Sequence, residues 1–101
     1  MRLKITTLSN PQGHLRIKLA GRLDSDTVKM FDKTVTDLTE GITDLDLDLS
    51  EVEYLSSAGL RSLLLARKWA NKHDVKIHIL NPTEAVLEVF DTTGFDRLIE
   101  I

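Results

Sequence analysis

Two adjacent serines, Ser56 and Ser57, are the side chains whose position in this sequence most clearly suggests chemistry. They follow a segment of alternating apolar and acidic residues, and they precede Gly59 and a run of helix-forming residues. A serine at the start of a helix can accept hydrogen bonds from unpaired backbone N–H groups, and the same donors stabilise a phosphate placed there. The pattern therefore predicts a helix cap, a site of phosphorylation, or both.

Other reaction centres are not indicated by the residues. The sequence contains no Gly-x-Ser-x-Gly elbow and no glycine-rich loop that would hold a phosphate. It has no cysteine, which excludes disulfides, thiolate catalysis and zinc–thiolate sites. His14, His73 and His78 fall at a strand start, a turn and a polar strand face, where we expect them to be solvated rather than bound to metal. We therefore expect a protein that is not an enzyme and binds no cofactor.

The length and composition are those of one soluble globular domain over residues 1–101. Hydrophobic residues make up 42% of the chain and charged residues 29%. The net charge of -3 argues against nucleic-acid binding, because neutralising phosphates requires clustered Lys and Arg. No stretch resembles a signal peptide or approaches the roughly 18 apolar residues of a membrane span. We therefore expect a cytoplasmic protein without a membrane span.

The serine pair is expected to be positioned by a strand that leads into a helix. Segments with a period of two predict four strands, and apolar residues at helical spacing predict three helices. A turn at residues 10–13 predicts that the first two strands form a hairpin. The predicted strands cover residues 2–6, 14–19, 44–49 and 75–80, and residues 98–101 could add a short final strand. The predicted helices cover residues 26–40, 57–71 and 83–91. Ser25 or Asp26 would cap the first helix.

This order, β-β-α-β-α-β-α, predicts an α/β fold with a mixed sheet. Strand–helix–strand crossovers require parallel pairing, whereas the opening hairpin is antiparallel. Because the strands alternate, helices should cover one face of the sheet, and the other face should be largely exposed to water. Asp44, Asp46 and Asp48 lie on that polar face in the third strand, so we expect the third strand to lie beside strands that carry basic residues.

Residues 48–60 read Asp-Leu-Ser-Glu-Val-Glu-Tyr-Leu-Ser-Ser-Ala-Gly-Leu and resemble the signature of the STAS domain family. In that signature, the pattern Asp-Leu-Ser-x-Val-x-Tyr/Phe-Leu/Met-Asp-Ser-Ser/Ala-Gly-Leu leads from a strand into a helix. Residues 19–24, Leu-Ala-Gly-Arg-Leu-Asp, resemble the Gly-x-Leu-Asp that follows the second strand in the family. Residues 90–95, Phe-Asp-Thr-Thr-Gly-Phe, resemble the Phe-Asp-x-x-Gly-Phe/Leu that follows its third helix. The resemblance spans almost the whole chain.

The resemblance implies an anti-sigma factor antagonist that is regulated by phosphorylation. In that branch of the family, the serine two residues before the glycine is phosphorylated by a serine protein kinase that is also the anti-sigma factor, and the matching residue is Ser57. The unphosphorylated antagonist binds the kinase and frees the sigma factor, and a phosphatase of the PP2C type would reset the switch. Ser56 stands where the family often has Asp and is a secondary candidate acceptor. The implied switch loop comprises Asp24, which could instead simply cap the first helix, together with Ser56, Ala58 and Gly59.

The second helix offers a candidate docking surface. On a helical projection, one side carries leucines that should face the sheet, and Leu65 and Trp69 lie on the other side near Arg61 and Ser62. Apolar groups beside a switchable serine predict that a partner docks on Arg61, Ser62, Leu65 and Trp69, since Trp and Arg are frequent interface anchors. Alternatively, Trp69 packs against a neighbouring helix or lies flat on the surface.

Two other functions are compatible with these residues. One is a STAS adaptor that does not use phosphorylation, such as a subunit of a lipid-transport complex or a signalling scaffold. The other is an enzyme or small-molecule sensor, which would require a defined pocket where the third strand meets the second helix. Phosphate on Ser57, introduced by a kinase of the same genome, would separate the antagonist from the adaptor.

Overall fold

The computed structural model describes residues 3–38 and 41–94. Its elements follow the predicted order, whereas the predicted final strand at residues 98–101 lies outside the described residues. None of the helices in the two described ranges combines the length and apolarity that a bilayer crossing requires. The elements are β1 (Leu3–Ser9), β2 (His14–Leu23), α1 (Val28–Thr36), β3 (Asp44–Leu55), α2 (Ser57–Lys72), β4 (Lys76–Leu80) and α3 (Glu84–Thr93).

The strands form one mixed sheet in the order β1-β2-β3-β4. β1 pairs antiparallel with β2, and the β2–β3 and β3–β4 pairs are parallel, which confirms the predicted topology. Both crossovers move in the same direction across the sheet, so right-handed connections place α1 and α2 on the same face. The apolar side chains of the strands and of the helices form one buried cluster, whose members include Phe31, Phe90, Ile17, Leu47 and Leu63.

β2 and β3 are longer than their alternating patterns predicted. β2 continues to Leu23 and β3 to Leu55, whereas the predictions ended at residues 19 and 49. The pairing register of these strands shifts near residue 19 and again after Gly21. Such irregularities turn side chains out of strict alternation although backbone pairing continues. The extensions carry both strands to the edge of the sheet at which the serine pair lies.

α1 begins later than predicted, and neither Ser25 nor Asp26 caps it. The helix starts at Val28, and the side chain of Thr27, the residue before it, makes no capping hydrogen bond. Instead, Oδ1 of Asp24 accepts hydrogen bonds from the backbone N–H groups of Asp26 and Thr27, at 3.0 and 3.1 Å. The predicted caps are wrong because this Asx turn satisfies those N–H groups before the helix starts.

The acidic residues of β3 lie opposite basic residues of β2, as predicted. Across the β2–β3 ladder, Arg16 pairs with Asp46 and Lys18 pairs with Asp48, which confirms that the acidic strand lies beside a basic one. The expectation of a largely exposed face is wrong for these two aspartates, which are only 6% and 8% exposed. Longer side chains reach over the carboxylate of Asp46, since Nε2 of His14 lies 2.6 Å and Nη2 of Arg16 lies 3.7 Å from its Oδ2.

Asp48 stays charged although it is buried. Burial acts to raise the pKa of this carboxyl, but hydrogen bonds from the backbone and side chain of Ser50 and the charges of Lys18 and Arg16 outweigh burial. The pKa of Asp48 is therefore lowered from its ordinary value. The carboxylate stabilises the fold above the pKa of the unfolded chain, and this contribution is lost as the pH falls through the folded-state pKa.

Candidate functional site

The serine pair lies at the edge of the sheet where the parallel strands β2 and β3 both end. Leu23, the last residue of β2, pairs with Leu55, the last residue of β3. One residue later, the backbone N–H of Ser56 donates a hydrogen bond to the carbonyl oxygen of Leu23 at 3.0 Å. The start of α2 is therefore fixed by backbone pairing to the end of β2.

Ser56 and Ser57 play different roles at the start of α2. Ser56 is the N-cap, since its Oγ accepts a hydrogen bond from the N–H of Gly59 at 3.1 Å and lies 3.4 Å from the carbonyl oxygen of Leu23. Ser57 is the first residue of the helix, and its side chain is exposed. Of the two predicted caps, the structure therefore assigns the role to Ser56 and leaves the hydroxyl of Ser57 accessible to another protein.

Ser56→Ala is expected to lower the free energy of unfolding by about 1 kcal/mol, because the N–H of Gly59 loses its capping partner. Ser57→Ala should have a clearly smaller effect, since the Ser57 side chain is not the cap. Urea denaturation of both variants and of the wild type measures the difference. Equal losses, or a larger loss for Ser57→Ala, would show that the cap has been assigned to the wrong serine.

Gly59 lets α2 begin in direct contact with the ends of β2 and β3. The residue is buried. A Cβ atom at this position would overlap the carbonyl oxygen of Leu23 and would lie 2.7 Å from Cδ1 of Leu55. A larger residue would therefore force the helix away from the strands, so the glycine is required by the closeness of this packing.

Asp24 lies in the loop that follows β2, and its carboxylate is buried in the hydrogen-bond network of that loop. Its Oδ2 lies 3.4 Å from Nε of Arg22, and Cζ of Arg22 lies 4.2 Å from the centroid of the Tyr54 ring. Asp24 thus holds the loop that adjoins the start of α2. The contact between Arg22 and Tyr54 could not be predicted from the alternating pattern, because only the register shift after Gly21 brings these residues opposite each other.

A groove between α1 and α2, which we call the α1–α2 groove, opens beside Ser57. Its polar end is a cavity of about 570 Å³, and its apolar end is a cavity of about 280 Å³. The contribution of α1 could not be predicted from the sequence, because spacing along one helix does not reveal which other helix packs against it. The groove is lined by Val28, Asp32 and Val35 from α1 and by Ser57, Arg61, Leu65 and Trp69 from α2.

Three of the four predicted docking residues line this groove with accessible side chains. Arg61 is exposed, Leu65 is 47% exposed, and Trp69 is half-buried and stacks on His73 with ring centroids 4.6 Å apart. Ser62 differs, because it is only 3% exposed and lies at the base of the groove. Its predicted place on the outward surface is wrong, since α1 packs over this part of α2.

Comparison with known families identifies the domain. The family model described as "Mlab, STAS domain" matches residues 6–100, which is nearly the whole chain. The chain belongs to the STAS domain family. The serine pair, the N-cap of α2 and the α1–α2 groove are therefore features of a STAS domain.

Individual proteins similar to this STAS domain include regulators of sigma factors. The anti-sigma-B factor antagonist of Staphylococcus epidermidis is 29% identical over 102 residues, which cover 100% of this chain and 94% of the relative. The unphosphorylated anti-sigma factor antagonist SpoIIAA matches with a TM-score of 0.80 and 19% identity, over 95% of this chain and 85% of that one. Phosphorylated SpoIIAA of Bacillus matches with a TM-score of 0.75 and 16% identity, over 95% and 88%. The two structural matches establish the shared fold.

Proposed function

We propose that this STAS domain is an anti-sigma factor antagonist whose binding to an anti-sigma factor is switched off by phosphorylation of Ser57. The observation that carries the proposal is the exposed side chain of Ser57, the first residue of α2, at the polar end of the α1–α2 groove. The protein acts in the cytoplasm as a ligand and substrate of its partner, and it is not itself a catalyst.

Similar proteins support this proposal. The Staphylococcus epidermidis relative, which matches over the full length of this chain, is an anti-sigma-B factor antagonist. SpoIIAA, which shares the fold, is an anti-sigma factor antagonist with an unphosphorylated and a phosphorylated form. By analogy, the partner of this domain is an anti-sigma factor that is also a serine kinase, and a PP2C-type phosphatase restores the binding form.

Phosphorylation of Ser57 would change the electrostatics of the groove. A phosphate adds close to two negative charges at pH 7, and the groove already contains the carboxyl group of Asp32. In an interface that excludes water, the added negative charge is costly to desolvate and is repelled by charges of the same sign. In the free protein the phosphate remains hydrated, so the modification penalises the complex far more than the free domain.

Ser57 is a better acceptor than Ser56. The Oγ of Ser56 accepts the N–H of Gly59 and lies beside the carbonyl oxygen of Leu23. A phosphate on Ser56 would break the cap of α2 and would be repelled by that carbonyl oxygen. Modification of Ser57 leaves the cap in place, so it does not cost the fold the stability of that cap.

Phosphate transfer from a serine kinase of the same genome tests the proposal. The kinase and ATP are incubated with the wild type, Ser56→Ala and Ser57→Ala, and the products are mapped by mass spectrometry. We expect one phosphate on Ser57 in the wild type and in Ser56→Ala, and none in Ser57→Ala. Phosphate that disappears only in Ser56→Ala would overturn the choice of acceptor, and no phosphate with any kinase that binds the protein would overturn the switch.

A STAS adaptor that is not phosphorylated is the second candidate. It is favoured by Ser56, which replaces the Asp that often precedes the acceptor in antagonists and which could impair recognition by a kinase. Such an adaptor would bind its partner through the α1–α2 groove with an affinity that does not depend on phosphate at Ser57.

A further inference from the structure

We propose that Arg61 binds the phosphate of phosphorylated Ser57 within the same molecule and is thereby withdrawn from the partner. This inference rests on the proposed phosphorylation of Ser57 and describes how that switch operates. In the covalent step, Oγ of Ser57 takes the γ-phosphoryl group of ATP, the hydroxyl proton is released, and ADP leaves. The salt bridge to Arg61 then forms without a further reaction.

Ser57 and Arg61 lie one turn apart on α2. Side chains four residues apart on a helix project from the same face, about 6 Å apart along the axis. Both residues line the cavity of about 570 Å³ at the polar end of the α1–α2 groove. A phosphate on Ser57 would therefore share this space with the guanidinium group of Arg61, whose planar fork can bind two phosphate oxygens at once.

The charges around this cavity favour the contact. Arg61 is exposed and takes part in none of the ion pairs found within the described part of the chain. Asp32 lines the same cavity from α1 and would repel the phosphate towards α2. Asp24, in the loop before α1, already has Arg22 as its ionic partner. Arg61 is thus the cation in the cavity wall to which a phosphate on Ser57 would turn.

The salt bridge would give phosphorylation two effects on binding. The phosphate adds negative charge to the groove, and Arg61 is no longer available as a donor to acidic or carbonyl groups of the partner. A single Arg offsets only about half of the charge of a phosphate group at pH 7, so the groove remains more negative than before. The modified domain therefore loses an attractive contact and gains a repulsive one at the same place.

The second pKa of the phosphate measures the contact directly. Phosphoserine is placed at position 57 during translation, without any kinase, and its ³¹P signal is titrated by NMR in an otherwise wild-type domain, in Arg61→Gln and in Lys68→Gln. We expect Arg61→Gln to raise this pKa, near 6 in an ordinary phosphoserine, by about 0.3 of a unit, in keeping with the strength of a helical ion pair. Lys68→Gln is the matched control, since this exposed residue lies eleven residues along α2, about 16 Å from position 57 along the axis.

Two further readouts complete the test. Asp32→Asn should lower the phosphate pKa, because the neighbouring negative charge is removed. The NMR chemical shift of the Arg61 Nε–H should differ between the phosphorylated and the unphosphorylated protein. An unchanged phosphate pKa in Arg61→Gln would overturn the inference, as would an equal change in Lys68→Gln. Because no kinase is used, this failure is distinct from a failure of the proposed function, which would appear as absent phosphorylation of Ser57.

Discussion

Ser57→Asp is expected to weaken binding of the anti-sigma partner by at least about 100-fold, which corresponds to roughly 3 kcal/mol. The new carboxylate would stand at the polar end of the α1–α2 groove beside the carboxyl group of Asp32. Docking would remove water from both carboxylates, and burying two like charges side by side in a dry interface carries a penalty of this size, which the single guanidinium of Arg61 offsets only in part. Isothermal titration calorimetry with the purified partner measures the affinity.

Ser57→Asn provides the matched control, because its side chain has nearly the shape of Asp but no charge. We expect Ser57→Asn to bind within a few-fold of the wild type, and Ser57→Ala to do the same. If Asp and Asn weaken binding equally, the effect is steric and the electrostatic switch is refuted. If none of the three substitutions changes the affinity, Ser57 lies outside the interface and the non-phosphorylated adaptor becomes the better description.

Gly59→Ala is expected to destabilise the fold by about 2 kcal/mol, although alanine is the better helix former by about 1 kcal/mol. The added methyl group would overlap the carbonyl oxygen of Leu23 and press against the side chain of Leu55. The carbonyl oxygen of Leu23 is a backbone atom, so the overlap can be relieved only if α2 or the end of β2 moves. In a domain of this size, thermal denaturation should show a midpoint about 10 °C lower.

Gly41→Ala separates steric overlap from the backbone preference of glycine. Gly41 has a φ of 95°, and a Cβ atom there would meet no atom of residues 3–38 or 42–94 within 4 Å. Its substitution therefore tests the cost of a left-handed conformation alone, about 1 kcal/mol. Gly59→Ala should be clearly more destabilising than Gly41→Ala, and a neutral or stabilising effect of Gly59→Ala would show that α2 can move away from β2 at little cost.

The topology and the place of the serine pair could be predicted because local patterns encode them. Alternation with a period of two marks strands whose one face is buried, and the serines before a run of helix-forming residues mark the start of a helix. The sequence could not distinguish the cap from the exposed hydroxyl by type alone. The distinction depends on the pairing of Ser56 with Leu23, which are 33 residues apart.

Features that depend on contacts between distant elements escaped prediction. Asp46 reads as an exposed member of an alternating strand, but His14 and Arg16 on the neighbouring strand cover it. Ser62 projects away from the sheet on a helical wheel, but α1 packs over it. In both cases the periodicity is correct for the element itself, and burial is decided by a neighbour that the pattern does not identify.

Main-chain hydrogen bonding to the carbonyl oxygen of Leu23 fixes the start of α2, whereas the docking surface that we propose lies further along the same helix. This division has a consequence for gene duplication. Duplicated copies could diverge at Leu65 or Trp69 without displacing the hydroxyl of Ser57, so that under the proposed function each copy would bind its own kinase while the Ser57–Arg61 pair stays the same. A few substitutions on the exposed side of α2 would then prevent each copy from binding the kinase of another copy.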